Sequence, residues 1–374
     1  MIKIVVLKEN QDDNRVSFTP NDLSVLTRRY EIYVQSKAGE ASGFTDELYL
    51  QAGAKIFINP KIVLPKANCI FKLSPLTAKE LKLVNQQQYL FTNPYFLSHP
   101  EILKQYLFKG LSVIALEKIN LASGNYRDAY QKILGKFGVI TGLFYTSKLF
   151  NKNSIGRAFS KDFRALVVNY SIAAHEAIHY LLGLGVDVTL AEIEQPLINR
   201  VKDDEIFNGL IQLNANPLHI INNTFDELSK NSHQFDLIIN TCDLANKNKL
   251  KITYDMITGL HNGAVFIDLG TDLGFGSDLT EKPNNAKKPY TVFNNKVCVS
   301  MENVASLYPA DCSSVISQIY TKLLNDSDAN QTNIVDFINA NHQFAHAQVL
   351  SVDQNGKGII VDQPLAKDLD LKFK

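Results

Sequence analysis

Residues 163–192, FRALVVNYSIAAHEAIHYLLGLGVDVTLAE, read as strand, tight turn, helix and second strand. The run 165–168 is short, rich in Val and Leu and bounded by polar residues, as a buried strand is. Asn169, Tyr170 and Ser171 are turn-like. From 172 to 182 apolar residues recur at three- and four-residue spacing, which marks a buried helix face. Gly183 and Gly185 end that helix, and 186–190 forms the next strand, closed by Glu192. This is the opening βαβ unit of a dinucleotide-binding fold, with a carboxylate roughly 20 residues past the turn, where such folds hold a ribose hydroxyl. The fingerprint G-x-G-x-x-G would fall on Asn169, Ser171 and Ala174, so all three glycines are replaced. Ala at the third position is an accepted variant. Asn and Ser at the first two place side chains where backbone usually approaches a pyrophosphate. The cofactor-binding candidates are therefore Asn169, Ser171, Ala174 and Glu192, the last favouring NAD over NADP because a carboxylate repels a 2′-phosphate.

The same helix carries HEAIH at 175–179, a match to H-E-x-x-H. Two His four apart on a helix share one face and can hold zinc, with Glu176 as general base. The pattern is short, and a third protein ligand is missing, since Glu192 and Glu194 lie on the strand and its exit. The reading adopted is two polar His at a helix N-terminus, with no metal. A second i, i+4 pair, His342 and His346, has no Glu beside it and reads as surface or capping.

Working outward, strand and helix patterns alternate along most of the 374 residues. Strands are expected over 2–7, 32–34, 69–73, 89–92 and 111–116, with helices from Thr19-Pro20 and over 46–52, 77–84 and 99–108. A long periodic segment, 129–150, reads as a connecting helix, flanked by the polar stretches 120–126 and 151–161. Further strands are expected over 237–240, 264–268 and 296–300, and helices over 309–324 and 334–340. Residues 285–288 and 324–333 read as polar loops, and 348–362 as a hairpin about Asn355-Gly356. That rhythm predicts an α/β chain of two Rossmann-like, doubly wound domains with a cleft between them. The expected boundaries are 1–128 plus 308–374 for one domain and 129–307 for the other.

Composition narrows the function classes. The chain is 45% hydrophobic and 20% charged, with 38 basic against 38 acidic residues, so no charge excess favours nucleic acid or an anionic membrane. Four Cys (Cys69, Cys242, Cys298, Cys312) form no C-x-x-C and suit a reducing compartment. No apolar stretch approaches the roughly 20 residues of a membrane span, and the N-terminal apolar run is shorter than a signal peptide's. A cytoplasmic protein is expected.

Several segments resemble the alanine dehydrogenase and nicotinamide nucleotide transhydrogenase alpha-subunit family. They are Lys8-Glu9 to Arg15-Val16 through Thr19-Pro20, Ala38-Gly39, Gly43 to Asp46, and Gln51 to Ala54. The stretch 70–75, IFKLSP, is similar to the family's Lys-containing strand end. Asp268 to Gly274 resembles the dehydrogenases' catalytic Asp segment, and Asn303 to Pro309 their Asn-x-Pro-Ser loop. The resemblance spans nearly all the chain except its last thirty or so residues. It implies a substrate domain (1–128 plus 308–374) and a cofactor domain (129–307). It also implies NAD as cofactor, a small amino or keto acid as substrate, and a homo-oligomer.

By the same resemblance Arg15 and Lys72 hold the substrate carboxylate and carbonyl oxygen. A guanidinium forks a carboxylate bidentately and an ammonium polarises a carbonyl, so the chemistry agrees. The implied acid/base Asp is Asp272, and the implied His position falls on Tyr95, whose unperturbed pKa near 10 makes it a donor rather than a base. Asn303 joins the cofactor set. The transhydrogenase branch is approached at 116–119 and 310–314, although Ala122 and Asn125 stand where its loop has Gln and Asp. Lysine-forming saccharopine dehydrogenase is a more distant cousin. It is met at Glu117, Gly124, Arg127, Gly135, Gly138 and Cys242, with its Lys position on Ser74. The expected activity is hydride transfer between nicotinamide and the substrate's alpha carbon. Asp272 and Tyr95 would manage the proton in the cleft between domains. The alternatives are a transhydrogenase-like NAD(H)-binding protein and a non-catalytic relative that acts by binding.

Overall fold

The computed structural model describes residues 1–374 except 11–12, 87, 95, 97–98, 122–123, 149–161, 215–216, 222–229, 231, 242–249, 271–276, 282–283, 286, 302–303, 328–333 and 373–374. In chain order come β1 (Lys3–Val6), β2 (Glu31–Gln35), β3 (Lys55–Phe57), β4 (Cys69–Phe71), β5 (Tyr89–Thr92) and β6 (Ser112–Ala115). A short antiparallel ribbon, β7 (Asn120–Leu121) with β8 (Gly124–Asn125), precedes the helix Tyr126–Lys148. Next are β9 (Arg164–Val168), β10 (Asp187–Ala191), β11 (Leu218–Ile221), β12 (Leu237–Asn240), β13 (Val265–Asp268), β14 (Thr291–Phe293) and β15 (Lys296–Ser300). Two strands, β16 (Gln348–Val352) and β17 (Gly358–Ile360), come last.

The chain is α/β and divides into two compact units, Met1–Tyr130 with Ser306–Lys374, and Gln131–Ala305. The first unit holds an eight-stranded sheet in the order β17-β16-β6-β5-β4-β1-β2-β3. Strands β1 to β6 are parallel, and β16 adds antiparallel to β6. The second holds a seven-stranded sheet, β11-β10-β9-β12-β13-β15-β14, parallel except for its last pair. Both contain the doubly wound pattern: the first strand is central, the next two lie to one side and the following three to the other. In such sheets ligands bind beyond the carboxyl ends of the strands, where the order reverses. That point lies between β1 and β4 in the first unit and between β9 and β12 in the second.

Strands covered on both faces become continuous apolar runs rather than alternating ones. Thus Cys69, Ile70 and Phe71 of β4 are all buried, as are Ala165 to Val168 of β9. In the first unit Phe71 stacks on Phe91 at 4.3 Å and meets the edges of Phe18 and Tyr320 at 4.9 and 4.8 Å. In the second, Leu166, Val168, Ile238 and Phe266 form the inner layer with Met256 and Ile257 against them. Gly135 is needed where its helix crosses Ile172–Gly183, because a Cβ there would lie 2.2 Å from the Ala173 carbonyl oxygen.

The expected elements appear with shifted ends. The connecting helix runs Tyr126–Lys148, and 149–150 lie outside the described residues. The helix expected over 77–84 is a single turn, Ala78–Leu81, and the helix Pro309–Asp326 runs into the expected loop 324–333. Asn285 and Lys288, expected in a loop, form an isolated bridge. His342 and His346 are exposed on the helix His342–Ala347, which Asn341 caps. The hairpin β16–β17 turns at Gly356 with φ +78°. The short edge strands β3, β11 and β14 were not expected. Edge strands need little apolar patterning; β11 is mostly partly exposed and β14 mostly exposed.

Candidate functional site

The crevice between β1 and β4 gathers charged side chains that burial would otherwise exclude. Arg15 lies on the chain leaving β1 and is 4% exposed. One edge of its guanidinium is taken side-on by Asp13, Nε to Oδ1 at 2.9 Å and a terminal nitrogen to Oδ2 at 2.7 Å. The other terminal nitrogen donates to the Tyr130 hydroxyl at 3.3 Å. Lys72 follows β4 and is 1% exposed. Its Nζ donates to Glu80 Oε2 at 2.7 Å and to Asn10 Oδ1 at 3.0 Å. Two of the three ammonium donors are thereby committed.

Glu9 joins the two loops. Its Oε1 accepts from the Leu73 N–H at 2.8 Å, and its Oε2 from the Ser74 N–H at 2.7 Å and the Ser74 hydroxyl at 2.5 Å. Burial, with Asp13 adding to it, pushes the Glu9 carboxyl up to about 7 against the pull of those donors. The structure therefore brings Arg15 and Lys72 to one switch point, each with its own carboxylate. Sequence reading missed Glu9, Asn10, Asp13 and Glu80 as members of the site. The signal for Glu80 was present: Thr77-x-x-Glu80 is a capping-box spacing. Tyr95, Asp272 and Asn303 lie outside the described residues, as do Ala122 and Cys242.

The crevice between β9 and β12 carries the turn that replaces the glycines. Asn169 has φ +64°, the left-handed conformation the first glycine usually supplies and that Asn tolerates better than most residues. Its side chain is fixed on three sides. Nδ2 donates to Asn240 Oδ1 at 3.1 Å and to the Leu250 carbonyl at 2.9 Å, while Oδ1 accepts from the Leu250 N–H at 2.9 Å. Asn240 continues the chain by donating to Asp268 Oδ1 at 3.2 Å, and Ser277 donates to Asp268 Oδ2 at 2.5 Å. Ser171 caps the helix Ile172–Gly183: its Oγ accepts from the Ala174 N–H at 3.1 Å and donates to Thr241 Oγ1 at 2.8 Å. Thr241 in turn donates to the Asn169 carbonyl. Ala174 is buried in the first turn.

Glu192 is 1% exposed at the end of β10. Its Oε2 accepts from the Tyr170 N–H at 2.6 Å, and its Oε1 from the N–H groups of Ile193 and Glu194 at 2.8 and 2.9 Å. The Tyr170 ring is buried, with its centroid 6.5 Å from that of His175. A dinucleotide fits this frame in its main parts: a left-handed turn, a helix N-terminus and a buried carboxylate on the next strand. Among the described residues, no acceptor meets the N–H groups of Ile172 or Ala173.

The two His of the HEAIH segment have separate partners. His175 Nε2 lies 3.0 Å from Asp204 Oδ2 and its ring packs on Phe207, whereas the His179 ring lies beside Tyr180. Glu176 faces Lys136 at 3.9 Å. Among the described residues no group of three or more His, Cys, Asp or Glu could hold a metal ion.

The family model described as alanine dehydrogenase/PNT, N-terminal domain, matches residues 5–132, and its C-terminal counterpart matches residues 158–355. The chain belongs to the alanine dehydrogenase/PNT family. It is 26% identical over 311 residues to an alanine dehydrogenase of Halomonas elongata, covering 81% of each chain. To one of Geobacillus stearothermophilus it is 23% identical over 315 residues, covering 82% of each. Its fold is like that of a solved L-alanine dehydrogenase, with TM-score 0.76, 18% identity and 99% of both chains covered. A transhydrogenase from Sinorhizobium meliloti is similar at TM-score 0.72 and 17% identity, covering 97% of this chain and 99% of that one. No described helix is long and apolar enough to cross a membrane.

Proposed function

We propose that the chain is an NAD-linked oxidoreductase of the alanine dehydrogenase type, transferring hydride between nicotinamide and the alpha carbon of a small amino or keto acid. The observation that carries this reading is the pair of buried cations, Arg15 and Lys72, at the switch point of the first unit in a member of this family. Arg15 holds the substrate carboxylate. Lys72 directs its remaining N–H at the carbonyl oxygen and stabilises the negative charge that develops there. Asp272 and Tyr95 handle the proton, Tyr95 as donor.

The cofactor rests on Asn169, Ser171, Ala174, Glu192 and Asn303. The N–H groups of Ile172 and Ala173 would be the donors to a diphosphate, and Glu192 would select NAD over NADP. When bound, the nicotinamide supplies or accepts the hydride. A cytoplasmic homo-oligomer is proposed with this reading; light scattering tests the assembly. The three described cysteines, Cys69, Cys298 and Cys312, are free and buried, which suits a reducing compartment.

A second reading is a relative that works by binding, without hydride chemistry. One observation favours it: Glu192, the carboxylate expected to take the ribose, already accepts three backbone N–H groups, those of Tyr170, Ile193 and Glu194. A third reading, an NAD(H)-binding protein like the transhydrogenase alpha subunit, shares the cofactor but not the amino-acid substrate. Calorimetric titration with NADH, followed by NADH consumption with pyruvate and ammonium at 340 nm, separates the three. The dehydrogenase reading expects both signals. Binding without turnover points to the transhydrogenase-like reading, and no binding at millimolar NADH ends the oxidoreductase reading altogether.

A further inference from the structure

We propose that Glu80 is a positioning residue that sets the direction in which Lys72 presents its uncommitted N–H, so that the turn 77–80 is part of the substrate machinery. This rests on the reading of Lys72 as the group that meets the substrate carbonyl. A lysine ammonium is a compact charge on a flexible four-carbon stem, and it has no intrinsic direction. Direction here comes from its partners. The Lys72 N–H is pinned to the Phe91 carbonyl at 3.0 Å, which fixes the root of the stem. Two of the three Nζ donors are then drawn to Glu80 Oε2 and Asn10 Oδ1, which leaves one direction for the third.

Both partners are themselves locked, and from opposite sides of the crevice. Asn10 comes from the chain after β1. Its N–H donates to the Ser74 hydroxyl at 3.1 Å and its Nδ2 to the Pro75 carbonyl at 3.1 Å, so its Oδ1 is the atom turned to Lys72. Glu80 comes from the chain after β4. Its Oε2 accepts from the Thr77 N–H at 2.7 Å and the Thr77 hydroxyl at 2.8 Å as well as from Lys72. Thr77 Oγ1 also accepts from the Glu80 N–H at 3.3 Å, completing a capping box. The helix so capped is only Ala78–Leu81, too short to stand without tertiary support. The box serves Glu80 as much as the helix: its two Thr77 donors hold in place the one oxygen that faces the ammonium.

The test compares Glu80→Gln, which keeps the shape and removes the charge, with Thr77→Ala, which keeps the charge and removes the support. Two readouts are taken. The first is the split of kcat against KM for pyruvate reduction. The second needs no turnover: the ζ-15N ammonium resonance of Lys72, assigned by its loss in Lys72→Met. In Glu80→Gln kcat/KM falls 10- to 100-fold, mostly in kcat, because an ammonium without its carboxylate no longer holds its N–H on the developing negative charge. The Lys72 resonance, protected in the parent protein, broadens away at neutral pH. Thr77→Ala gives a smaller fall of the same kind.

An unchanged kcat together with an unchanged resonance in Glu80→Gln overturns the inference, even where its melting temperature drops. If the parent protein reduces no keto acid, the proposed activity fails. The resonance alone then decides whether Glu80 holds Lys72. If Glu80→Gln does not fold, Thr77→Ala carries both comparisons, and a parent-like result there overturns the inference equally.

Discussion

Glu117 is half-buried, yet its Oε2 is enclosed and, among the described residues, meets no hydrogen-bond donor. Burial pushes this carboxyl from 4.5 up to about 7, Lys118 opposing and Asp362 adding to the shift. A carboxyl whose folded value lies above its unfolded one binds more protons in the folded state, so its contribution to stability declines as pH rises between the two values. Glu117→Gln is therefore expected to leave stability unchanged below about pH 4.5 and to raise it by on the order of 2 kcal/mol at pH 8. Urea denaturation of both proteins at the two pH values checks this, and equal midpoints at pH 8 would count against it. At this scale the sequence was informative where chemistry is local. Spacing placed Glu192 just past β10, and the fingerprint placed Asn169 and Ser171 in the turn before the helix Ile172–Gly183. The bonds from Asn169 to Leu250 and Asn240 were not legible, because they join residues 81 and 71 positions apart through the packing of neighbouring strands.

Asp204 shows what a single side chain does for two helices. Its Oδ1 accepts from the N–H groups of Ile206 and Phe207, both at 3.0 Å, at the start of Glu205–Asn214, while its Oδ2 faces His175 on Ile172–Gly183. Burial raises the carboxyl, but the Phe207 N–H, His175 and the Ile206 N–H outweigh it and hold Asp204 below its ordinary 3.8. The sign is the reverse of Glu117: the contribution is full above that ordinary value and is lost as pH falls through the lower folded value. Asp204→Ala is expected to cost about 1–2 kcal/mol at pH 7, the usual worth of a lost cap, and less in strong acid. Thermal melts at pH 7 and in acid measure it; equal losses at the two would sink the assignment. The helix and its two His were plain from periodicity. Their partners were not, since i, i+4 spacing specifies a shared face and says nothing of what packs on it.

For the whole molecule, the alternation of strands and helices was enough to foresee two doubly wound layers. The strand order was not, because βαβ spacing does not say on which side of β1 or β9 the next strand adds. Each unit has its own core, so a core lesion can be assigned to one of them. Phe71→Ala removes a ring packed against Phe91, Phe18 and Tyr320 and is expected to cost about 3–5 kcal/mol. Calorimetry of the full chain would show it as a lowered transition. A loss well under 1 kcal/mol would mean that the aromatic cluster contributes little beyond filling space.

The first sheet is assembled from both ends of the chain, since β16 closes onto β6 only after 131–305 have intervened. On the ribosome, therefore, the flank of β6 that β16 will cover stays open while the whole inserted segment is made. Newly synthesised chains carry a ready template for unwanted strand addition throughout that interval. Chains cut short before Gln348 would keep that flank bare for good.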